Sequence, residues 1–240
     1  MMDVVTSYQR RRGQIEHYFD RTAADAWARL TSKAPVSGIR ATVRAGRDRM
    51  RATLLDWLPP DLHGRRVLDA GCGTGALAVE AAVRGADVVA VDLSPTLVAL
   101  ARERVPAEIA ARAPGPGSVR FLSGDMLDPS LGEFDHVVGM DSLIHYDEPD
   151  VLRVLAGLAA RTRGSMLFTF APRTPALALM HGVGRLFPRG DRAPMIQPLA
   201  EERLRRAIGA EPALAAWRCG RTLRVSSGFY ISQALELARS

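Results

Sequence analysis

The sequence predicts an α/β fold on a seven-stranded, mostly parallel sheet whose last strand runs antiparallel, and three observations carry that reading. Between residues 67 and 171, short apolar runs alternate with helix-patterned stretches, the signature of a parallel sheet covered on both faces. The first of those runs ends in a glycine-rich loop. The chain then closes with two long strand-like segments joined by a short turn, the pattern of an antiparallel pair.

Taken in order, residues 1–35 form a polar, basic lead-in containing His17-Tyr18-Phe19 and Trp27, which Pro35 and Gly38 break. Ile39 to Leu58 reads as an amphipathic helix, with Ile39, Val43, Met50, Leu54, Leu55 and Leu58 near one face. Pro59-Pro60 ends it. Strands follow at Val67–Ala70, Asp87–Val91, Val119–Leu122, Phe134–Met140 and Ser165–Ala171. Helices fall at Ala76–Arg84, Thr96–Arg104 and Asp150–Ala160, the second opened by a Ser94 N-cap with proline at its first turn. After the fifth strand the alternation stops. Residues 172–197 read as an insertion with a helix opening at Thr174-Pro175, and Leu199 to Ile208 as a further helix. Trp217–Ser226 and Phe229–Leu237 are the terminal strands, turning at Ser227-Gly228. We divide the chain into an N-terminal helical arm over the active site (1–60) and one α/β domain (61–240), with 172–197 as its lid.

Composition narrows the class. Of 240 residues, 47% are hydrophobic and 24% charged, enough apolar material for a full core and unlike a disordered chain. Two cysteines, Cys72 and Cys219, are too few for a disulfide scaffold and show no metal-ligand spacing, which fits a reducing cytoplasm. No apolar run reaches the roughly 18 to 20 residues of a membrane span. The net charge of +6 is unevenly spread. Residues 1–66 hold 13 Lys and Arg against 7 Asp and Glu, residues 67–150 hold 5 against 14, and residues 151–240 hold 14 against 5. An acidic centre lies between two basic ends. Coding bias accounts for arginine over lysine; the layout also suits an anionic partner at the ends.

The chemistry concentrates in Val67-Leu68-Asp69-Ala70-Gly71-Cys72-Gly73-Thr74-Gly75, placed where a strand turns into a helix. Glycines there let backbone approach a ligand closely. Gly71, Gly73 and Ala76 also satisfy the loose dinucleotide fingerprint, but Asp69 would repel a pyrophosphate and could bind an ammonium group. The D-x-G-x-G-x-G run resembles the S-adenosylmethionine loop of Rossmann-like methyltransferases. On that resemblance, Asp69, Gly71, Cys72, Gly73 and Gly75 line the cofactor. Asp92, with Leu93 beside it, takes the ribose hydroxyls, although the same acid also suits a helix N-terminus. Asp125 holds the adenine amine and Met126 flanks the ring, while Met140, at the end of strand four, borders the methyl donor. His145 stands where a ligand outside the strand ends would sit; His63 reads as a turn residue and His136 as a structural one.

The segment Met140-Asp141-Ser142-Leu143-Ile144-His145-Tyr146, with Tyr18-Phe19, Trp27 and the helix Arg40 to Leu58, is similar to the magnesium-protoporphyrin IX O-methyltransferases of bacteriochlorophyll biosynthesis. The resemblance covers most of the chain. It implies a Rossmann-like methyltransferase that moves a methyl group from S-adenosylmethionine to a propionate of magnesium-protoporphyrin IX, giving the monomethyl ester. Tyr18 and His145 are then the catalytic pair. It implies no protein-bound metal, since magnesium belongs to the substrate. It also implies two further contacts, the porphyrin-carrying subunit of magnesium chelatase and the photosynthetic membrane surface, for an otherwise cytoplasmic protein. Arg173, Arg185, Arg189 and Arg192 make the 172–197 lid a candidate cationic rim, and a plain core-capping helix is the alternative there. Another carboxylate, a quinone-type phenol, or a non-catalytic S-adenosylmethionine sensor are the competing functions. Nucleic acid is not expected, because the aromatics do not interleave with the arginines.

Overall fold

The structure, a computed structural model, describes residues 6–22, 31, 38–173 and 195–240. Seven strands form one sheet: β1 (Arg66–Ala70), β2 (Asp87–Asp92), β3 (Val119–Ser123), β4 (Phe134–Gly139), β5 (Thr162–Phe170), β6 (Trp217–Ser227) and β7 (Tyr230–Arg239). Their order is β3-β2-β1-β4-β5-β7-β6. β1 to β5 pair in parallel, and β7 runs antiparallel to both neighbours. The order reverses between β1 and β4, so the crevice at the carboxyl ends of these two strands is where a ligand belongs.

Helices among the described residues are α1 (Ser7–His17), α2 (Ile39–Trp57), α3 (Ala76–Val83), α4 (Pro95–Arg104), α5 (Ala107–Ala110), α6 (Glu148–Ala159) and α7 (Glu201–Ala210). Alternation along the strands sends successive side chains to opposite faces, and this builds two cores. Leu68, Val89, Val91, Val137 and Met166 pack with Val151, Val154 and Leu155 of α6 and with Leu204 of α7. Val67, Val88, Ala90, Val138 and Leu167 pack with Met50, Leu54 and Leu55 of α2 and with α3. Because α2 is a full partner in the second core, Leu54→Ala is expected to cost about 2 to 5 kcal/mol. A fall in the urea midpoint without a change in slope checks it.

The N-terminal arm, expected to be helical, is helical over its described residues 7–22. α1 opens with a capping box, Thr6 and Gln9 bonding reciprocally, and Tyr18–Thr22 continue as a π-turn. The terminal hairpin turns at Gly228-Phe229, one residue later than expected, with Ser227 paired to Tyr230. The 174–194 part of the insertion, with Arg185, Arg189 and Arg192, lies outside the described residues, as does Trp27. Its two ends are described. Pro172 bridges to Leu199, and the Gln197 amide donates to the Ile144 carbonyl at 2.8 Å, one residue from His145. No helix among the described residues is long and apolar enough to cross a membrane.

Candidate active site

At the sheet's reversal point the glycine loop wraps over the end of β2. The Gly71 and Cys72 amides donate to the Val91 carbonyl at 2.8 and 3.0 Å, and the Gly73 amide donates to Asp92 at 2.8 Å. Gly71 has a φ of +89°, and a Cβ there would lie 2.4 Å from the Cβ of Ser142. Only glycine lets the loop after β1 pass the loop after β4 this closely. The two loops bound one cavity of about 870 Å³, a volume that suits a cofactor and part of a large substrate.

The expected residues separate into two groups. Asp69, Gly71, Cys72, Gly73, Gly75, Asp92, Leu93, Met126, Met140 and His145 all line this cavity. Tyr18 and Asp125 do not. Tyr18 is half-buried, edge-on to Phe19 with ring centroids 5.2 Å apart, and Phe19 in turn meets the His145 ring at 5.9 Å. Asp125 is taken up by the arm. It accepts from the Tyr8 hydroxyl at 2.6 Å, from Arg12 at 2.8 Å and from the Leu127 amide at 2.9 Å.

Sequence reasoning sets Tyr8, a second arm tyrosine, behind Tyr18 because no phenylalanine follows it; Tyr8 is buried and stacks on Tyr146 with centroids 5.3 Å apart. Burial, and then the neighbouring Tyr146, push the Tyr8 phenol upward, so it stays a donor to Asp125. Two more contacts fasten the same segment. Ser7 donates to Asp150 at 2.8 Å. Asp20 accepts from the Thr96 amide at 3.1 Å and hydroxyl at 2.6 Å, a negative charge at the positive end of α4.

The electrostatics favour a cationic ligand at the loop. Asp69 is buried, its Oδ2 has no hydrogen-bond partner, and its carboxyl is pushed up to about 7, first by burial and then by Asp92. Burial likewise raises Asp92, against the pull of the Ser94 and Gly73 amides. Ser142 Oγ and Tyr146 Oη are further buried polar atoms without a partner on the same cavity wall. Buried polar groups in folded proteins are normally satisfied, so several around one space point to a polar occupant. The donor set fits S-adenosylmethionine: a lone carboxylate oxygen for an ammonium, an aspartate at the end of β2 for ribose hydroxyls, and Met126 and Leu93 for a flat ring.

α2 sends Arg44, Arg47 and Arg51 to the cavity wall. Arg47 donates to Asp141 at 2.5 Å. Asp141 also accepts from Tyr230 at 3.1 Å and Ser232 at 3.0 Å, and its amide donates to Thr169 at 2.7 Å. Its φ of +56° is the one left-handed value among the described non-glycine residues, a conformation that persists because its surroundings hold it. Sequence spacing could have flagged this face, since Arg40, Arg44, Arg47 and Arg51 recur at helical intervals. Among the described residues no group of three His, Cys, Asp or Glu side chains could hold a metal ion.

Known proteins resemble this chain along most of its length. Residues 139–239 match the family described as magnesium-protoporphyrin IX methyltransferase C-terminus, and residues 67–164 the one described as methyltransferase domain. The chain is 50% identical over 232 residues to a magnesium-protoporphyrin O-methyltransferase of Rhodobacter capsulatus, covering 96% of this chain and 98% of that one. It is 29% identical over 228 residues to a protein of the same name from Synechocystis, covering 94% and 95%. A crystal structure of magnesium protoporphyrin IX methyltransferase from Synechocystis with bound SAH superposes with a TM-score of 0.78 at 28% identity, covering 94% of this chain and 98% of that one.

Proposed function

Because the chain belongs to the magnesium-protoporphyrin O-methyltransferase family, we infer that its 870 Å³ cavity is where a porphyrin propionate meets S-adenosylmethionine. The protein is an S-adenosylmethionine-dependent O-methyltransferase acting on magnesium-protoporphyrin IX. One observation carries the placement of the chemistry: the buried, unpartnered Asp69 Oδ2 shares a cavity with His145.

The division of labour we propose follows from that geometry. Asp69 holds the ammonium, Asp92 the ribose, and Leu93, Met126 and Met140 the apolar flanks, with Gly71, Cys72, Gly73 and Gly75 forming the floor. Bound there, S-adenosylmethionine supplies an electrophilic methyl on a sulfonium. A propionate, with a pKa of about 4 to 5 by analogy with Glu, is already ionised at neutral pH. It needs alignment at about 3 Å and loss of its hydration rather than a strong base. His145, buried at the cavity wall beside Phe19, orients that carboxylate. Tyr18 lies off the cavity wall with its ring against Phe19, and we propose that it supplies a hydroxyl to the carboxylate when the arm closes on substrate.

We read Tyr8 as the arm's anchor. Tyr8→Phe deletes its bond to Asp125 and is expected to cost about 1 to 3 kcal/mol. It should also speed proteolysis within residues 1–60, while Tyr18→Phe lowers kcat about tenfold and leaves proteolysis unchanged. Limited digestion beside steady-state kinetics separates the two. Residues 1–60 serve as the arm and 61–240 as the catalytic domain. The 172–197 insertion serves as the lid; the Gln197 amide on the Ile144 carbonyl, which brings its C-terminal end beside His145, supports this. Delivery by the porphyrin-carrying chelatase subunit and contact with the photosynthetic membrane belong to the same proposal, supported by the basic ends of the chain.

Incubation with S-adenosylmethionine and magnesium-protoporphyrin IX tests the function. A porphyrin product heavier by one methylene is expected on mass spectrometry. Conversion of quinone-type phenols with no reaction of the porphyrin would overturn it.

A further inference from the structure

We infer that Arg44 and Arg47 bind the substrate's second carboxylate, the one that is not methylated, and thereby limit the enzyme to a single transfer. The inference rests on the substrate reading above. Protoporphyrin carries two propionates side by side on one edge of a rigid, flat macrocycle. With one of them at the methyl donor, the frame carries the other into the same cleft. A carboxylate drawn out of water needs a cation with matching donors.

Four described arginines line the cavity, Arg44, Arg47, Arg51 and Arg104. Arg51 is bridged between two carboxylates, Asp48 at 2.9 Å and Glu80 at 2.6 Å. Arg104 comes from the last turn of α4 and donates to Thr31 at 2.9 Å, on the side of the cleft that follows the ribose-binding strand. Arg44 and Arg47 lie one helical turn apart on α2, and Arg47 is tied through Asp141 to the loop that carries His145. A guanidinium has five donors in a planar fork, so one arginine can serve Asp141 and a ligand carboxylate together.

Arg47 is held from behind. Gly46 lets the Tyr230 ring pack against α2, where a Cβ would lie 2.5 Å from the ring. Tyr230 and Ser232 hydrogen-bond the same Asp141 that receives Arg47. The site is therefore organised before substrate arrives, and preorganised charge discriminates well.

Single methylation follows from this arrangement. After one transfer the product carries one ester and one carboxylate. A second transfer would put the remaining carboxylate at the methyl donor and the uncharged ester against Arg44 and Arg47, which would lose the charge-assisted bonds that the propionate makes with them.

Steady-state kinetics of the full chain test this, with magnesium-protoporphyrin IX and its monomethyl ester as alternative substrates. Wild type should convert the dianion at least 100-fold more efficiently than the monoester. Arg44→Gln should raise KM for the dianion about 10- to 100-fold with kcat within about threefold, and leave S-adenosylmethionine affinity unchanged. The dianion-to-monoester ratio should fall at least tenfold, and dimethyl ester should accumulate. Arg47→Gln should shift the same ratio, although it also breaks the Asp141 contact; the ratio is read within each variant and is insensitive to the amount of folded enzyme. An unchanged ratio in Arg44→Gln, or an equal loss on both porphyrins, overturns the inference. A wild-type enzyme that makes no ester at all overturns the substrate reading instead.

Discussion

Asp69→Asn is expected to weaken S-adenosylmethionine binding by about 100-fold or more while making the unliganded protein more stable above pH 7. Both effects have one cause. Burial and the nearby Asp92 raise the Asp69 carboxyl to about 7, well above its value of about 3.9 in an unfolded chain. At low pH the group is neutral in both states and costs nothing. As pH rises from about 4 to 7 the unfolded chain ionises freely and the folded one does not, so stability falls across that window. Asparagine removes the penalty, and Tm at pH 8 should rise by on the order of 5 °C. A ligand ammonium acts on the same charge with the opposite sign. It favours the carboxylate, so binding below pH 7 expels a proton, and affinity should strengthen up to tenfold per pH unit before levelling above 7. Titration calorimetry across pH 5.5 to 8.5 and thermal melts of both proteins read these effects. A pH-independent affinity in the wild type would separate Asp69 from the cofactor.

The second large effect is on turnover. His145→Ala should lower kcat about 100-fold, with S-adenosylmethionine affinity changed less than twofold. Because the propionate arrives ionised, the task proposed for the ring is to hold the carboxylate in line within a wall shared with Phe19 and Tyr146. His145→Gln keeps a hydrogen-bonding group without a titrating one and should recover activity to within about tenfold of wild type, with a flat pH profile. If Gln is as inactive as Ala, and the wild-type rate falls with a single titration at acid pH, His145 acts as a base.

Much of this architecture was legible because it is written locally. The runs from Val67 to Ala70 and from Asp87 to Val91 alternate with helices, and Ser94-Pro95 marks a helix start in any context. The glycine loop and Asp69 state their chemistry within nine residues. What escaped depends on contacts between distant parts of the chain. α1 is set in place by Ser7 on Asp150 and Tyr8 on Asp125, partners 143 and 117 positions away. Nothing in its polar sequence announces the burial of Tyr8, nor that Asp125 would meet the arm instead of lining the cofactor cavity. The arginines of α2 were visible as a stripe, but only the fold shows that the stripe faces the pocket. Asp141 was visible only as part of the Met140–Tyr146 segment, and nothing there announced its left-handed backbone, which contacts from Thr169, Ser232, Tyr230 and Arg47 hold.

The central claim is that this cleft brings a carboxylate, and no other nucleophile, to the methyl group. The direct measurement is a single turnover with S-adenosylmethionine labelled in the methyl and magnesium-protoporphyrin IX in excess, followed by mild alkaline hydrolysis of the isolated porphyrin. The account predicts that all transferred label is released as methanol, as a methyl ester requires, with one label on each methylated porphyrin beforehand. Label that stays on the porphyrin through alkali, as a carbon- or nitrogen-bound methyl would, contradicts it.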